Sequence, residues 1–250
     1  MIDMGVHPYS ELIASGVQVS DAQIEVIDVA DGDQLPFTIE AHGIIGSGSA
    51  YAAFDTMPWI QEVKDFYRAA QVRGIPELHI CWSHQAKVLA AGGQVERGPR
   101  GRRFGIEQVH LTPAGRRDAL FAGMPNSFEL FTTHTDVATV LPFENPPIEL
   151  AYSDTYAYEA LAYGATARTV QTHPEMSAQF IIALANMRRQ QLVNEGIIGP
   201  SDEEYEEFIS YLKKMEKKVR ENGLQLMENW LFYFVGAYFL NEPAAICDQP

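Results

Sequence analysis

Between residues 43 and 93 the chain repeats one pattern: a short apolar run, a sharp stop, then a run of helical period. GIIGSGSA (43–50) reads as a strand entering a tight Gly/Ser loop. WIQEVKDFYRAAQVRG (59–74) places Ile60, Val63, Phe66, Tyr67 and Ala70 on one helical face, and Gly74 ends it. IPELHICW (75–82) is a buried strand, and HQAKVLAAGG (84–93) is a helix closed by two glycines. Strand, helix, strand and helix in that order are the pattern of strands joined by crossover helices. The expected fold class is α/β: an open, mainly parallel sheet flanked by helices, with a helical C-terminal extension.

The flanking segments fill in this frame. Residues 9–17 read as a short helix, and 24–32 (IEVIDVADG) as a β-branched strand stopping at a turn. Further strand-like pieces lie at 108–112, 128–142, 148–153 and 166–172, followed by a helix over 176–193. Ser201 and Glu204 form a capping box for a helix that Gly223 is expected to end. A last apolar helix, 224–241, is apolar on nearly all faces and must be buried. Burial against its own core is the plain reading; a homodimer or synthetase-docking surface is the sharper one. The expected organisation is a domain over 1–195 and a helical extension over 196–250, packed on that domain or on a partner.

Composition narrows the function. With 18 Lys+Arg against 33 Asp+Glu the formal charge is −15. That balance argues against nucleic acid and against an anionic membrane surface. The longest apolar stretch, 230–240, is too short to span a bilayer. Two cysteines make no disulfide framework, and no signal peptide is visible, so a cytoplasmic location is expected. The histidines show no metal spacing, and no metal or cofactor is expected. The Arg-rich run 97–103 (RGPRGRR) reads most simply as a solvated loop; its alternative is contact with a phosphate, an acidic partner or a carboxylate substrate.

Two places carry chemistry. Cys81 ends an apolar strand just before a helix, so its sulfur stands at a sharp strand-to-helix turn where the helix N-terminus favours thiolate. A lone cysteine is as readily a buried core residue. The second place is Gln171-Thr172-His173-Pro174-Glu175. Here Pro174 breaks a strand, and His173 and Glu175, two apart, face one side of an extended chain. A cysteine nucleophile needs such a base and carboxylate. By itself the segment reads first as a strand end and helix N-cap region.

HICWSHQ (79–85), TTHTDVATVLP (132–142) and QTHPE (171–175) come in the order and spacing of the class I glutamine amidotransferases, which the chain resembles over roughly residues 24–180. GSGS (46–49), PWIQEVKDF (58–66), GIP (74–76) and HLTPAGRRDALFAGMPNSFEL (110–130) extend the resemblance. It implies a flavodoxin-like sheet and a Cys81–His173–Glu175 triad that forms a γ-glutamyl thioester from glutamine or a related γ-glutamyl compound. It implies an oxyanion hole from the backbone N–H groups of Ser47 and Trp82. It also implies a glutamyl pocket involving Gly46, Gln85, Thr133, His134 and Asp136, with Asp136 facing the α-ammonium.

Three departures qualify the expectation. The family's glycines two before and two after the nucleophile are His79 and Ser83 here. Only residues 1–4 precede the first helix, where the family has a full strand. No nucleotide-binding motif follows residue 180, so an ammonia-accepting synthetase is expected to be a separate partner. The readings are therefore a glutaminase subunit, a stand-alone γ-glutamyl peptidase or transferase on another substrate, or a catalytically weak regulatory subunit.

Overall fold

The computed structural model describes residues 11–13 and 23–241. Seven strands form the central sheet: β1 (Ile44–Gly46), β2 (Glu77–Ile80), β4 (Arg103–Leu111), β5 (Ser127–His134), β7 (Ile148–Ser153), β8 (Ala160–Tyr163) and β9 (Ala167–Val170). Their order is β1-β2-β9-β8-β7-β4-β5. β1, β2 and β9 pair in parallel, and every other neighbouring pair is antiparallel. Following these pairings, only β8 and β4 oppose the other five, so the sheet is mixed but mainly of one direction. β3 (Gln94–Arg97) and β6 (Asp136–Val140) form a separate antiparallel pair.

Helix α1 (Pro58–Val72) buries Ile60, Val63, Tyr67 and Ala70, the stripe its sequence spacing requires. Proline at its first turn lacks the N–H that would be unpaired there. Helix α2 (Trp82–Ala90) starts directly after Cys81, two residues earlier than its sequence pattern suggests. Helix α3 (Ala178–Asn194) is capped by Ser177, which accepts from the Phe180 N–H.

The long helix α4 (Asp202–Trp230) begins with the expected Ser201/Glu204 capping box. It does not end at Gly223. It runs through a π turn (Leu231–Val235) into a short segment, α5 (Gly236–Asn241). Gly223 is there for a close approach: a Cβ on it would stand 2.2 Å from the Pro174 carbonyl oxygen. Leu226, Trp230 and Phe234 share a core with Leu78, Ile80, Phe128 and Leu130 of the sheet. The all-round burial expected of 224–241 does not hold, because Phe232 and Tyr233 are exposed and meet only edge to face.

The expected strand at 24–32 is absent. Among the described residues Ile24 and Val26 pair with no strand and stay exposed, and the chain turns through a 3-10 segment (Val29–Asp31). Asp28 and Asp33 side chains take the local N–H groups that a sheet would otherwise pair. Of the helix expected at 9–17, residues 11–13 are helical; the remainder, residues 1–4 and Cys247 lie outside the described residues. Among the described residues no helix is long and apolar enough to cross a membrane.

Gly223→Ala tests the helix crossing. Alanine favours a helix interior by about 1 kcal/mol, but a methyl driven into a backbone oxygen costs about 1–3 kcal/mol or more through overpacking. The variant is expected to lower the melting temperature; a raised melting temperature would refute the close contact with the Pro174 carbonyl.

Candidate functional site

β2, β9 and β5 run in the same direction, and the candidate residues gather at and just beyond their carboxyl ends. Cys81 lies between β2 and α2 with φ +52° and ψ −102°, a strained backbone for a non-glycine residue. Its N–H donates to the Val170 carbonyl at 2.8 Å, and its carbonyl accepts from the Gln85 N–H at 3.2 Å, so both sides of the turn are pinned. The thiol faces the Thr133 carbonyl at 3.8 Å.

His173 continues beyond β9 and its N–H donates to the Phe131 carbonyl at 2.8 Å, which stitches it to β5. Its Nδ1 hydrogen-bonds Glu175 Oε1 at 2.7 Å, and its ring meets the Cys81 side chain. Both side chains are buried. Burial pushes the imidazole pKa down, but the negative charges of Glu175 and Cys81 and the hydrogen bonds to them outweigh it. The result is a pKa raised to about 10.

The sequence-predicted pocket residues divide. Gly46 ends β1 opposite His79 and next to the elbow, followed by Ser47, whose hydroxyl donates to the Gly48 carbonyl. Trp82 opens α2, where a first-turn N–H has no intrahelical acceptor, and its ring packs on Trp59 at 5.4 Å. Gln85 is committed internally, donating to the Asp136 carbonyl at 2.8 Å and to Gln171 Oε1 at 3.2 Å. Asp136 Oδ1 lies 3.3 Å from Arg97, and burial raises its pKa. Thr133 and His134 are buried at the end of β5. His134 Nδ1 donates to the Asp136 carbonyl, and burial foremost lowers its pKa to about 3, so its Nε2 presents a lone pair. Among the described residues that Nε2 has no hydrogen-bond partner.

Three contributions escaped the sequence reading. Gln171 brings its Nε2 to 3.6 Å from Cys81 Sγ; the period-2 signal that set it on the His173 face was available. Glu216, Arg220 and Gly223 form one face of α4 against the His-Pro-Glu turn. Arg220 donates to the Glu175 carbonyl at 2.7 Å, and Glu216 accepts from the Ala178 N–H.

The third contribution is a buried polar chain beneath the elbow. His79 Nε2 lies 2.8 Å from Glu77 Oε2, and Lys87 Nζ lies 2.9 Å from the same carboxylate. His79 Nδ1 meets Ser83 Oγ at 2.9 Å, which meets the Tyr67 hydroxyl at 2.6 Å. Burial raises the Glu77 carboxyl, yet His79 and Lys87 together hold it below its ordinary pKa. Burial and the Lys87 charge lower His79, despite Glu77. A carboxylate only accepts, so the donors are fixed: Nε2–H to Glu77, Ser83 to Nδ1, Tyr67 to Ser83. The two replaced glycines are thus partners of one another. Gly46 completes the fit, since a Cβ there would lie 1.9 Å from Ser83 Oγ.

Residues 1–180 match the family profile "Glutamine amidotransferase class-I". Gamma-glutamyl peptidase 5 of Arabidopsis thaliana is 30% identical over 57% of this chain and 57% of its own. A GMP synthase (glutamine-hydrolyzing) of a Synechocystis species is 30% identical over 70% of this chain and 30% of its own. The chain therefore spans little more than half the length of the first and under a third of the second. A glutamine amidotransferase structure from Thermotoga maritima superposes with TM-score 0.69 at 20% identity, covering 82% of this chain and 85% of that one. One from Methylobacillus flagellatus gives 0.75 at 18%, covering 90% and 89%. At those identities the likeness concerns the fold.

Ser83→Ala would leave His79 Nδ1 buried without its donor, a loss of about 1–3 kcal/mol, measured by denaturant unfolding. A second prediction concerns acid. Burial lowers His84 from its ordinary 6.5 to about 3, and its Nδ1 hydrogen-bonds Thr169 at 2.7 Å. Stability from this neutral ring is present above 6.5 and lost as pH falls from there toward 3. The melting temperature of His84→Gln is therefore expected to fall less steeply than wild type across that window; parallel curves would refute it.

Proposed function

The chain belongs to the class I glutamine amidotransferase family, and from that premise we propose that it hydrolyses or transfers the γ-acyl group of glutamine or a related γ-glutamyl amide through a thioester on Cys81. The observation that carries this reading is the meeting of Cys81, at positive φ, with the buried His173–Glu175 pair.

His173 takes the thiol proton, and Glu175 holds Nδ1 so that the other ring nitrogen serves the sulfur. The thiolate attacks the γ-carbonyl carbon, and the carbonyl π pair moves onto oxygen. The N–H groups of Ser47 and Trp82 stabilise that oxyanion, usually the largest single catalytic contribution. Collapse breaks the C–N bond, and the His173 imidazolium protonates the departing amine. Water, deprotonated by His173, then cleaves the thioester to a γ-carboxylate and restores the thiol. The pKa of His173, raised to about 10, supports the imidazolium as the resting state at neutral pH. Gln171, donating toward the sulfur, helps hold the thiolate in place.

The GMP synthase relatives support a reading in which released ammonia passes to a synthetase partner. The γ-glutamyl peptidase relatives and the filled glycine positions His79 and Ser83 favour a γ-glutamyl substrate other than glutamine.

Glutamate release from glutamine and from a γ-glutamyl dipeptide tests the reaction. Cys81→Ala is expected to abolish it, and His173→Gln to cost about 10²–10⁴-fold. The rate is expected to hold through neutral pH and decline as pH approaches 10, where the imidazolium is lost. Glu175→Gln removes the charge that sustains it, so the alkaline limb should move to lower pH. An unmoved limb would refute the pairing.

A further inference from the structure

The two oxyanion donors of the reading above come from different elements. Ser47 follows the end of β1, and Trp82 opens α2. Such a pair is effective only at a fixed spacing, because each N–H must stand about 2.7–3.1 Å from the developing charge. The α2 side is anchored: the Cys81 N–H is held by the Val170 carbonyl, and its carbonyl by the Gln85 N–H. The β1 side is held more lightly. β1 has three residues, lies at the end of the sheet and, among the described residues, pairs with β2 alone.

What fixes the end of β1 is its last residue. Gly46 lies against the hydroxyls of Ser83 and Tyr67, and a Cβ on it would collide with both. Neither hydroxyl is free to turn away. Ser83 donates to His79 Nδ1 at 2.9 Å and accepts from Tyr67 at 2.6 Å. His79, the register partner of Gly46, is held in turn by Glu77 at 2.8 Å, and its ring meets the Tyr67 ring edge-on at 4.2 Å. Tyr67, His79 and Ser83 are all buried. Ser83 follows Trp82 directly, so one oxygen rides on the helix turn that carries one donor and presses on the strand end that carries the other.

Resting on the thioester reading above, we propose that Ser83 is a positioning residue for the oxyanion hole. Its hydroxyl, locked by His79 and Tyr67, is the spacer that sets the separation of the Ser47 and Trp82 N–H groups. It acts through Gly46 and touches no reacting atom. Without it the end of β1 gains room to move toward α2, and the Ser47 N–H loses its line to the oxyanion. Cys81 and His173, held through the Val170, Gln85 and Phe131 backbone groups, keep their places.

Glutamate release from glutamine and from γ-glutamylglycine is measured in wild type, Ser83→Ala and Tyr67→Phe. Beside it is measured the rate at which iodoacetamide alkylates Cys81, read on its peptide by mass. Alkylation displaces iodide at a saturated carbon and forms no oxyanion, so it reports the thiolate and its base without the hole. Ser83→Ala is expected to lower kcat and kcat/KM together by about 10–100-fold, with KM and the alkylation rate kept within about twofold. Tyr67→Phe leaves the Ser83–His79 bond in place and should show the same pattern at smaller size; it carries the test by itself if Ser83→Ala does not fold. A kcat equal to wild type in the folded variants overturns the spacer and spares the nucleophile. A change confined to KM overturns it too, as does alkylation that falls in step with kcat, which places the damage at the elbow. A wild type that is alkylated at Cys81 but releases glutamate from neither compound overturns the thioester reading, and the spacer with it.

Discussion

The arrangement depends on one backbone conformation, that of Cys81. A non-glycine residue at positive φ costs about 1–3 kcal/mol and persists only where its surroundings over-determine it. Here β9 pins the residue's N–H, the first turn of α2 takes its carbonyl, and a buried chain fills the space below. That chain stands where the family carries glycines. Glycine would relieve crowding around the turn; His79 and Ser83 instead fill it with hydrogen bonds whose directions are fixed. The neighbouring strand adapts by placing Gly46 against Ser83.

Two carboxylate–imidazole pairs of almost equal length lie on either side of the elbow, 2.8 Å for His79–Glu77 and 2.7 Å for His173–Glu175. Both are buried, yet their histidines shift in opposite directions. The difference lies in the third member. Lys87 compensates Glu77 and repels a proton on His79, whereas Cys81 adds a second negative charge beside His173. The first pair therefore behaves as scaffold with a neutral ring, and the second as a reservoir for a proton. A histidine beside a glutamate is no guide to its charge until the next neighbour is known.

Much of this was legible in the sequence. The β1-to-α2 alternation, the elbow at Cys81 and the His-Pro-Glu turn follow from periodicity and from proline and glycine punctuation. What escaped depends on tertiary neighbours. The strands 94–97 and 160–163 are four residues each, too short to show a period. Residues 24–28 alternate like a strand but pair with no strand among the described residues. Gly223 reads as a helix stop because nothing local reveals the Pro174 carbonyl against it. The two Nε2 protons of Gln85 go to the Asp136 carbonyl and to Gln171 Oε1, partners some 51 and 86 positions away that no local pattern records. The role of α4 in bracing the His173 turn joins residues some 45 positions apart, and no local pattern records it.

The central claim is that the strained turn presents Cys81 as a nucleophile served by the His173–Glu175 pair. Intact-mass analysis after reaction with a glutamine-analogue electrophile tests it most directly. The account predicts one covalent adduct on wild type, located at Cys81, absent from Cys81→Ala and formed more slowly in Glu175→Gln. An unmodified wild-type chain, or equal labelling of Cys81→Ala, would contradict it.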